Sequence, residues 1–124
     1  MYSVKEINMD IIEFREYCLS LGDVEEKTPF GKFSAKFDSI LVFYVCGHIF
    51  CMLDMDDFSS VEVKADPEDV IKLREKYRSV VKPFNLSEKY WIELDFGGDL
   101  PDNKVYELVK NSYEIVKAKY TRKK

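Results

Sequence analysis

Apolar residues recur at helical spacing near the start of the chain. Ile11, Phe14, Cys18 and Leu21 fall on one side, and Asp10, Glu13 and Glu16 take the wet side, as in a helix half-sunk in a core. Asn8 is placed to cap this helix and Gly22 to stop it. From residue 25 to 64 the period shortens to two, the spacing of strands with one buried face. Residues 25–30 predict a short first strand that ends near Pro29 and Gly31. Phe33, Ala35 and Phe37 alternate with Ser34, Lys36 and Asp38 as a second. Residues 40–46 and 49–53 flank Gly47-His48, a dipeptide suited to a type II′ hairpin turn with glycine first. Residues 58–64 alternate again, Val61 and Val63 against Ser60, Glu62 and Lys64.

Asp66-Pro67-Glu68-Asp69 predicts a second helix, with Asp66 as cap, Pro67 in the first helical position and acids toward the positive end of the dipole. Val70, Leu73 and Tyr77 form its inner side. Residues 80–83 lead into a loop, and residues 90–96 form a last strand ended by Gly97-Gly98. Pro101-Asp102 opens the longest helix. Val105, Leu108, Val109, Ser112, Val116 and Ala118 are its packing side, and Tyr106, Tyr113 and Tyr120 repeat every seven residues beside them. That tyrosine stripe reads as the rim of the core, with rings packed and hydroxyls toward water. The order of elements and the mostly short connections predict an α+β fold of two layers, an antiparallel sheet of about five strands with helices packed on one face. One domain spans residues 1–124, with frayed ends at 1–8 and 121–124.

The length of 124 residues needs no second domain. No stretch approaches the ~20 apolar residues of a membrane span, and residues 1–7 lack the pattern of a secretory signal. Three cysteines, an odd number, fit a reducing compartment. A cytoplasmic protein without membrane contact is therefore expected. The net charge of −4 is divided unevenly: residues 1–62 hold 12 acids and 5 bases, residues 63–124 hold 11 acids and 14 bases. A polyanion could thus meet a locally positive surface on an acidic chain.

Few residues carry recognisable chemistry. With Gly47-His48 as the turn, Cys46 and Cys51 would share a face beside His48. These are soft ligands of the kind zinc takes, but a fourth ligand and metal-site spacing are missing. Small buried hydrophobes beside an exposed turn histidine is the simpler reading. Asp54, Asp56 and Asp57 lack the pattern of a calcium loop and read as a solvated turn. Gly97-Gly98 lacks the Lys-Ser/Thr of a phosphate loop. No serine lies in a nucleophile motif. No enzyme, catalytic residue, metal or cofactor is expected. Trp91 is more informative. In the last strand Tyr90, Ile92, Leu94 and Phe96 take one face and Trp91, Glu93 and Asp95 the other. If the first set faces the helices, Trp91 stands on the polar face with Lys36 and Lys64. There it is either covered by loop 83–89 or free to stack on a base.

Glu26-Lys27-Thr28-Pro29-Phe30-Gly31, Gly47-His48-Ile49-Phe50 and Val63-Lys64-Ala65-Asp66-Pro67-Glu68 then acquire a context, together with Tyr90-Trp91, Gly98-Asp99-Leu100-Pro101-Asp102 and Ser112-Tyr113. In their order and spacing these segments resemble the MmcQ/YjbR-like family of small bacterial proteins across about residues 9–120. The resemblance implies a CyaY/frataxin-like fold and, by the family's likeness to a double-wing module, DNA binding through hairpins and sheet. On that expectation Lys27, Lys32, Lys36, Lys64 and Lys89 would contact phosphates and Trp91 would stack. The alternative partner is a protein anchored on the same Trp91 face. A further alternative, from the frataxin-like resemblance, is weak iron binding by Asp10, Glu13, Asp23, Glu25 and Glu26.

Overall fold

The computed structural model describes residues 9–32, 34–84 and 86–121. The first helix, α1 (Ile11–Ser20), is capped by Asp10, whose side chain accepts from the Ile12 N–H at 2.8 Å. Asn8, the expected cap, lies outside the described residues. Gly22 and Asp23 take positive φ of 106° and 58° and turn the chain into β1 (Val24–Lys27). Phe14 and Cys18 are fully buried, as the helical spacing demands.

Residues 34–38 depart from the expected alternation. Ala35–Phe37 is one turn of 3-10 helix, and Phe33 lies outside the described residues. A Cβ on Gly31 would stand 2.8 Å from the Cβ of Asp38, so the segment doubles back on itself where a strand would extend. The sheet resumes with β2 (Ile40–Val45), β3 (His48–Asp54) and β4 (Ser60–Lys64). After α2 (Pro67–Lys76) come the two-residue β5 (Val80–Val81) and β6 (Trp91–Asp95). The chain ends in α3 (Asp102–Thr121). Asp66 occupies the cap position of α2, but its side chain makes no capping hydrogen bond.

Six strands form one antiparallel sheet in the order β1-β2-β3-β4-β6-β5. The sixth is β5, in a stretch expected only to lead into a loop. The helices form the second layer. Phe14 of α1, Val70 of α2 and Val105, Val109 and Val116 of α3 bury against Phe43, Leu53, Val61, Val63, Ile92 and Leu94. Each such side chain removed from water contributes about 1.5–3 kcal/mol. Of the tyrosine stripe, Tyr113 is inside the core at 4 % exposure and donates to the Gly22 carbonyl at 2.7 Å. Tyr106 packs edge-on to Tyr17, and Tyr120 stacks flat on His48.

The hairpin turn also falls one residue earlier than expected. Val45 pairs with His48, so Cys46 and Gly47 are the central residues, both with positive φ, 54° and 78°. That is the type I′ geometry. The register then slips at Phe43/Tyr44: Phe43 faces Cys51, Tyr44 faces Ile49, and Phe50 is the extra residue of a β-bulge.

The stretch 98–102 acts as a clamp. The Asp99 carboxylate accepts from the backbone N–H of Arg78 at 2.8 Å and of Ser79 at 2.9 Å, while the Asp99 N–H donates to Ser79 Oγ at 3.0 Å. These backbone donors hold the Asp99 carboxyl below its ordinary range. A Cβ at Gly98 would collide with Ser79 Oγ, so a larger residue would displace the hydroxyl that accepts from the Asp99 N–H. The turn after α2 is thereby fixed to the start of α3.

Candidate functional site

Cross-strand partners share a face, so the ladder identifies the side of the sheet away from the helices. It carries Lys27, Val42, Tyr44, Met52, Ser60, Glu62, Lys64, Trp91 and Glu93. Val42 and Met52 are nevertheless buried, so the face is not bare. Phe30 and Phe37 from the loop after β1, and Phe84 and Leu86 from the loop before β6, ring a recess of about 390 Å³ over Ile40 and Met52. Phe84 is 75 % exposed and Phe37 37 %.

Glu62 lies in the wall of this recess. It stands directly opposite Glu93 across β4 and β6. Its Oε2 accepts from the Phe84 N–H at 3.2 Å, and Glu93 Oε2 accepts from Ser60 Oγ at 2.7 Å. Burial, reinforced by the charge of Glu93 and partly offset by the Phe84 N–H, pushes the Glu62 carboxyl up to about 7. Burial and then Glu93 also raise Asp95. A second hollow of about 260 Å³ adjoins the first and shares Glu62 and Phe84; Asp54, Asp57 and Glu93 line it. A larger cleft of about 660 Å³ lies between α2 and α3, where Lys72, Lys76, Lys104 and Lys110 interleave with Asp69, Glu107 and Glu114. Its charges alternate and present no single sign.

The strand parity expected for Trp91 holds: it is half-buried on the helix-free face while Ile92 and Leu94 are fully buried on the other. Lys64 lies opposite it, with Nζ 5.9 Å from the ring centroid. The other candidate lysines do not gather there. Lys27 is on β1, four strand spacings or about 19 Å from β6, with Nζ 3.9 Å from Glu25 and 5.3 Å from the Tyr44 ring. Lys36 belongs to the 3-10 turn, not to a strand, and lies over Phe37. Lys32 is in the same loop, and Lys89 lies over Tyr90.

The acids considered for iron are also dispersed into structural roles. Asp10 caps α1, Glu26 pairs with Arg15, and Glu25 pairs with Lys27. Among the described residues no three His, Cys, Asp or Glu side chains stand together as a metal site. The shifted turn separates the cysteines expected to share a face. Cys46 is exposed at the hairpin tip, whereas Cys51 is buried against Cys18. Burial, and then contact with Cys18, raises the Cys51 thiol well above its ordinary value. Since the thiolate is the reactive form, a thiol reagent should find one fast-reacting group in the folded chain. Cys46→Ser should abolish that fast phase. Fast reaction of all three thiols would show that Cys18 and Cys51 are not sealed.

The recess escaped the sequence reading because loops build it. Its one sequence signal is a pair of aromatic residues, Phe30 and Phe84, beside Pro29, Gly31 and Pro83, since Phe37 alternates as a strand residue would. Such residues in turns have no strand or helix to bury them.

The structure thus defines a two-layer α+β domain whose open antiparallel sheet carries a loop-built recess opposite the helices. No described helix is long and apolar enough to cross a membrane. The family model YjbR matches residues 19–115, and the chain belongs to that family. It is 26% identical over 109 residues to the Escherichia coli protein YjbR, covering 86% of each chain. Among solved structures it is similar to Deinococcus radiodurans protein DR2400, with a TM-score of 0.81 and 26% identity over 91% of this chain and 82% of that one. A Pseudomonas syringae protein shares the fold at a TM-score of 0.70 and 20% identity, over 87% of this chain and 99% of that one.

Proposed function

We propose that this chain is a non-enzymatic binding module that docks a protein partner on the helix-free face of its sheet. The observation that carries this reading is the recess edged by Phe84 and Phe37, two exposed apolar rings on the sheet face that also carries the half-buried Trp91. Contiguous exposed apolar surface of this kind marks interaction sites, and interfaces concentrate their energy on aromatic anchors. The sheet supplies a rigid floor and the loops supply the rim.

The immobilised chain should retain a partner from a lysate of the source cells through nuclease treatment. Phe84→Asp, at an exposed position that leaves the fold intact, should release it. Retention by the variant, or loss of all bound protein on nuclease treatment, would reject the reading.

A second reading, nucleic-acid binding, draws on the Lys64–Trp91 pair, an ammonium beside a partly open indole. Glu62, Glu93 and Asp95 share that face and repel phosphate. If about four phosphates were neutralised, binding of duplex or single-stranded DNA would fall with a logarithmic salt slope of about −3 to −4. Fluorescence anisotropy at two salt concentrations measures it, and absence of binding by folded chain at low salt dismisses it.

A further inference from the structure

We infer that the recess seats an extended segment of the partner in which a bulky apolar side chain and an arginine or lysine stand two residues apart. The apolar group enters beside Phe37, Met52 and Phe84, and the cation closes on Glu62 and Glu93. This rests on the reading of the helix-free face as a protein-docking surface and adds the chemistry of what docks.

Charge selects the occupant. The two hollows share Ile40, Met52, Glu62 and Phe84; apart from Glu62 the first is lined by apolar side chains, whereas the second adds the carboxylates of Asp54, Asp57 and Glu93. Among the described residues no lysine or arginine lines either hollow, and neither Glu62 nor Glu93 takes part in an ion pair. Like charges directly opposite on neighbouring strands repel. Here no cation among the described residues pairs with either carboxylate, and the two Oε2 atoms are occupied by Phe84 N–H and Ser60 Oγ. A neutral apolar occupant would seal the pair from water without a partner, and an anionic one would be repelled. A guanidinium or ammonium would supply the missing charge, and a guanidinium can reach both carboxylates at once. Side chains two residues apart on an extended segment lie on one side, about 7 Å apart, which suits two adjoining hollows of which only the second is edged by several carboxylates.

The groups facing Glu62 set the pH response. Glu93 faces it from β6, Asp54 and Asp57 from the end of β3 and the turn beyond, and the Phe84 N–H from the loop. Lys64, two residues along β4, is turned to Trp91, and Lys82 in the loop pairs with Glu88. Near neutral pH Glu62 is divided between its two forms. An arriving cation therefore displaces a proton, and affinity should rise as pH increases from about 6 to 8.

The test pans a random heptapeptide phage library against the full chain at pH 8 and measures an enriched peptide by fluorescence anisotropy. The expected consensus is a large apolar residue with Arg or Lys two positions away. Replacing that base by Gln in the peptide should weaken binding about tenfold or more, as loss of a charge-assisted pair does. Glu62→Gln with Glu93→Gln should weaken the parent peptide to the same level and flatten its pH dependence. Phe84→Ala should weaken both peptides. Enriched peptides that need Phe84 but carry no base would overturn the charge inference and leave the docking face standing. No enrichment, or enrichment indifferent to Phe84→Ala, would overturn both.

Discussion

Replacing Ser112 by alanine should lower the unfolding free energy by about 2–4 kcal/mol, since two backbone groups lose their partner. Ser112 is fully buried on α3. Its Oγ donates to the Phe50 carbonyl at 2.6 Å and accepts from the Lys64 N–H at 2.9 Å. The register explains why both groups need it. The pairs Leu53–Val61, Met52–Glu62 and Cys51–Val63 would be followed by Phe50 and Lys64, but the bulge at Phe50 opens the ladder there. The hydroxyl of a helix residue bridges the gap between the two strands. Alanine keeps the helix and removes the bridge, leaving a buried carbonyl without a partner. A loss of about 2–4 kcal/mol lowers the melting temperature by roughly 10 °C in a domain of this size, and urea denaturation gives the free energy itself. Faster amide exchange at Lys64 should accompany it. A variant as stable as the parent, with that amide still protected, would show that the strands close directly.

The same bulge marks where the sequence stopped being legible. The three helices announced themselves through Gly22, Pro67 and Pro101 and through apolar residues at helical spacing, because local chemistry governs where helices begin and end. Strand parity at residues 91–95 was equally readable, since Ile92 and Leu94 alternate with polar neighbours. Alternation fails where one residue is added. Phe50 and Cys51 are consecutive and both fully buried, which no period of two anticipates. The insertion moved the hairpin turn to Cys46-Gly47 and parted Cys46 from Cys51. Residues 33–38 misled for a different reason. Phe37 alternates with polar residues as in a strand, yet it serves a loop that folds back at Gly31. β5 was missed because two residues carry no period at all.

The candidate site divides along the same line. Trp91, Lys64, Glu62 and Glu93 could be placed on one face from parity alone, since strands fix them. Phe30, Phe37, Phe84 and Leu86 could not, because their positions depend on how two loops close over the sheet. Lys36 was placed beside the tryptophan because its segment alternates like a strand, and Lys27 was grouped with it as a phosphate contact without strand order. Order is a tertiary property, and four strand spacings separate Lys27 from β6.

Glu62→Gln should make the chain more stable than the parent at pH 8, by about 1–2 kcal/mol, and no different from it near pH 4.5. The Glu62 carboxyl moves from about 4.5 in the unfolded chain to about 7 in the folded one. Between those values the folded chain holds a proton that the unfolded chain has released, so stability falls as pH rises through this window, and the full cost stands above pH 7. The gap alone corresponds to about 3 kcal/mol. Glu62 is partly open to water, which screens it and reduces the expected effect to about 1–2 kcal/mol. Glutamine retains an oxygen for the Phe84 N–H and removes the charge facing Glu93. Urea titrations of both chains from pH 4.5 to 8 measure the difference, and equal stability at every pH would show that the carboxyl ionises as freely as an exposed one. A position whose ionised form opposes folding gains nothing for the domain by remaining glutamate. A cation arriving from a partner would reverse that balance by stabilising the ionised pair, so the substitution that strengthens the isolated chain should weaken its hold on a basic peptide.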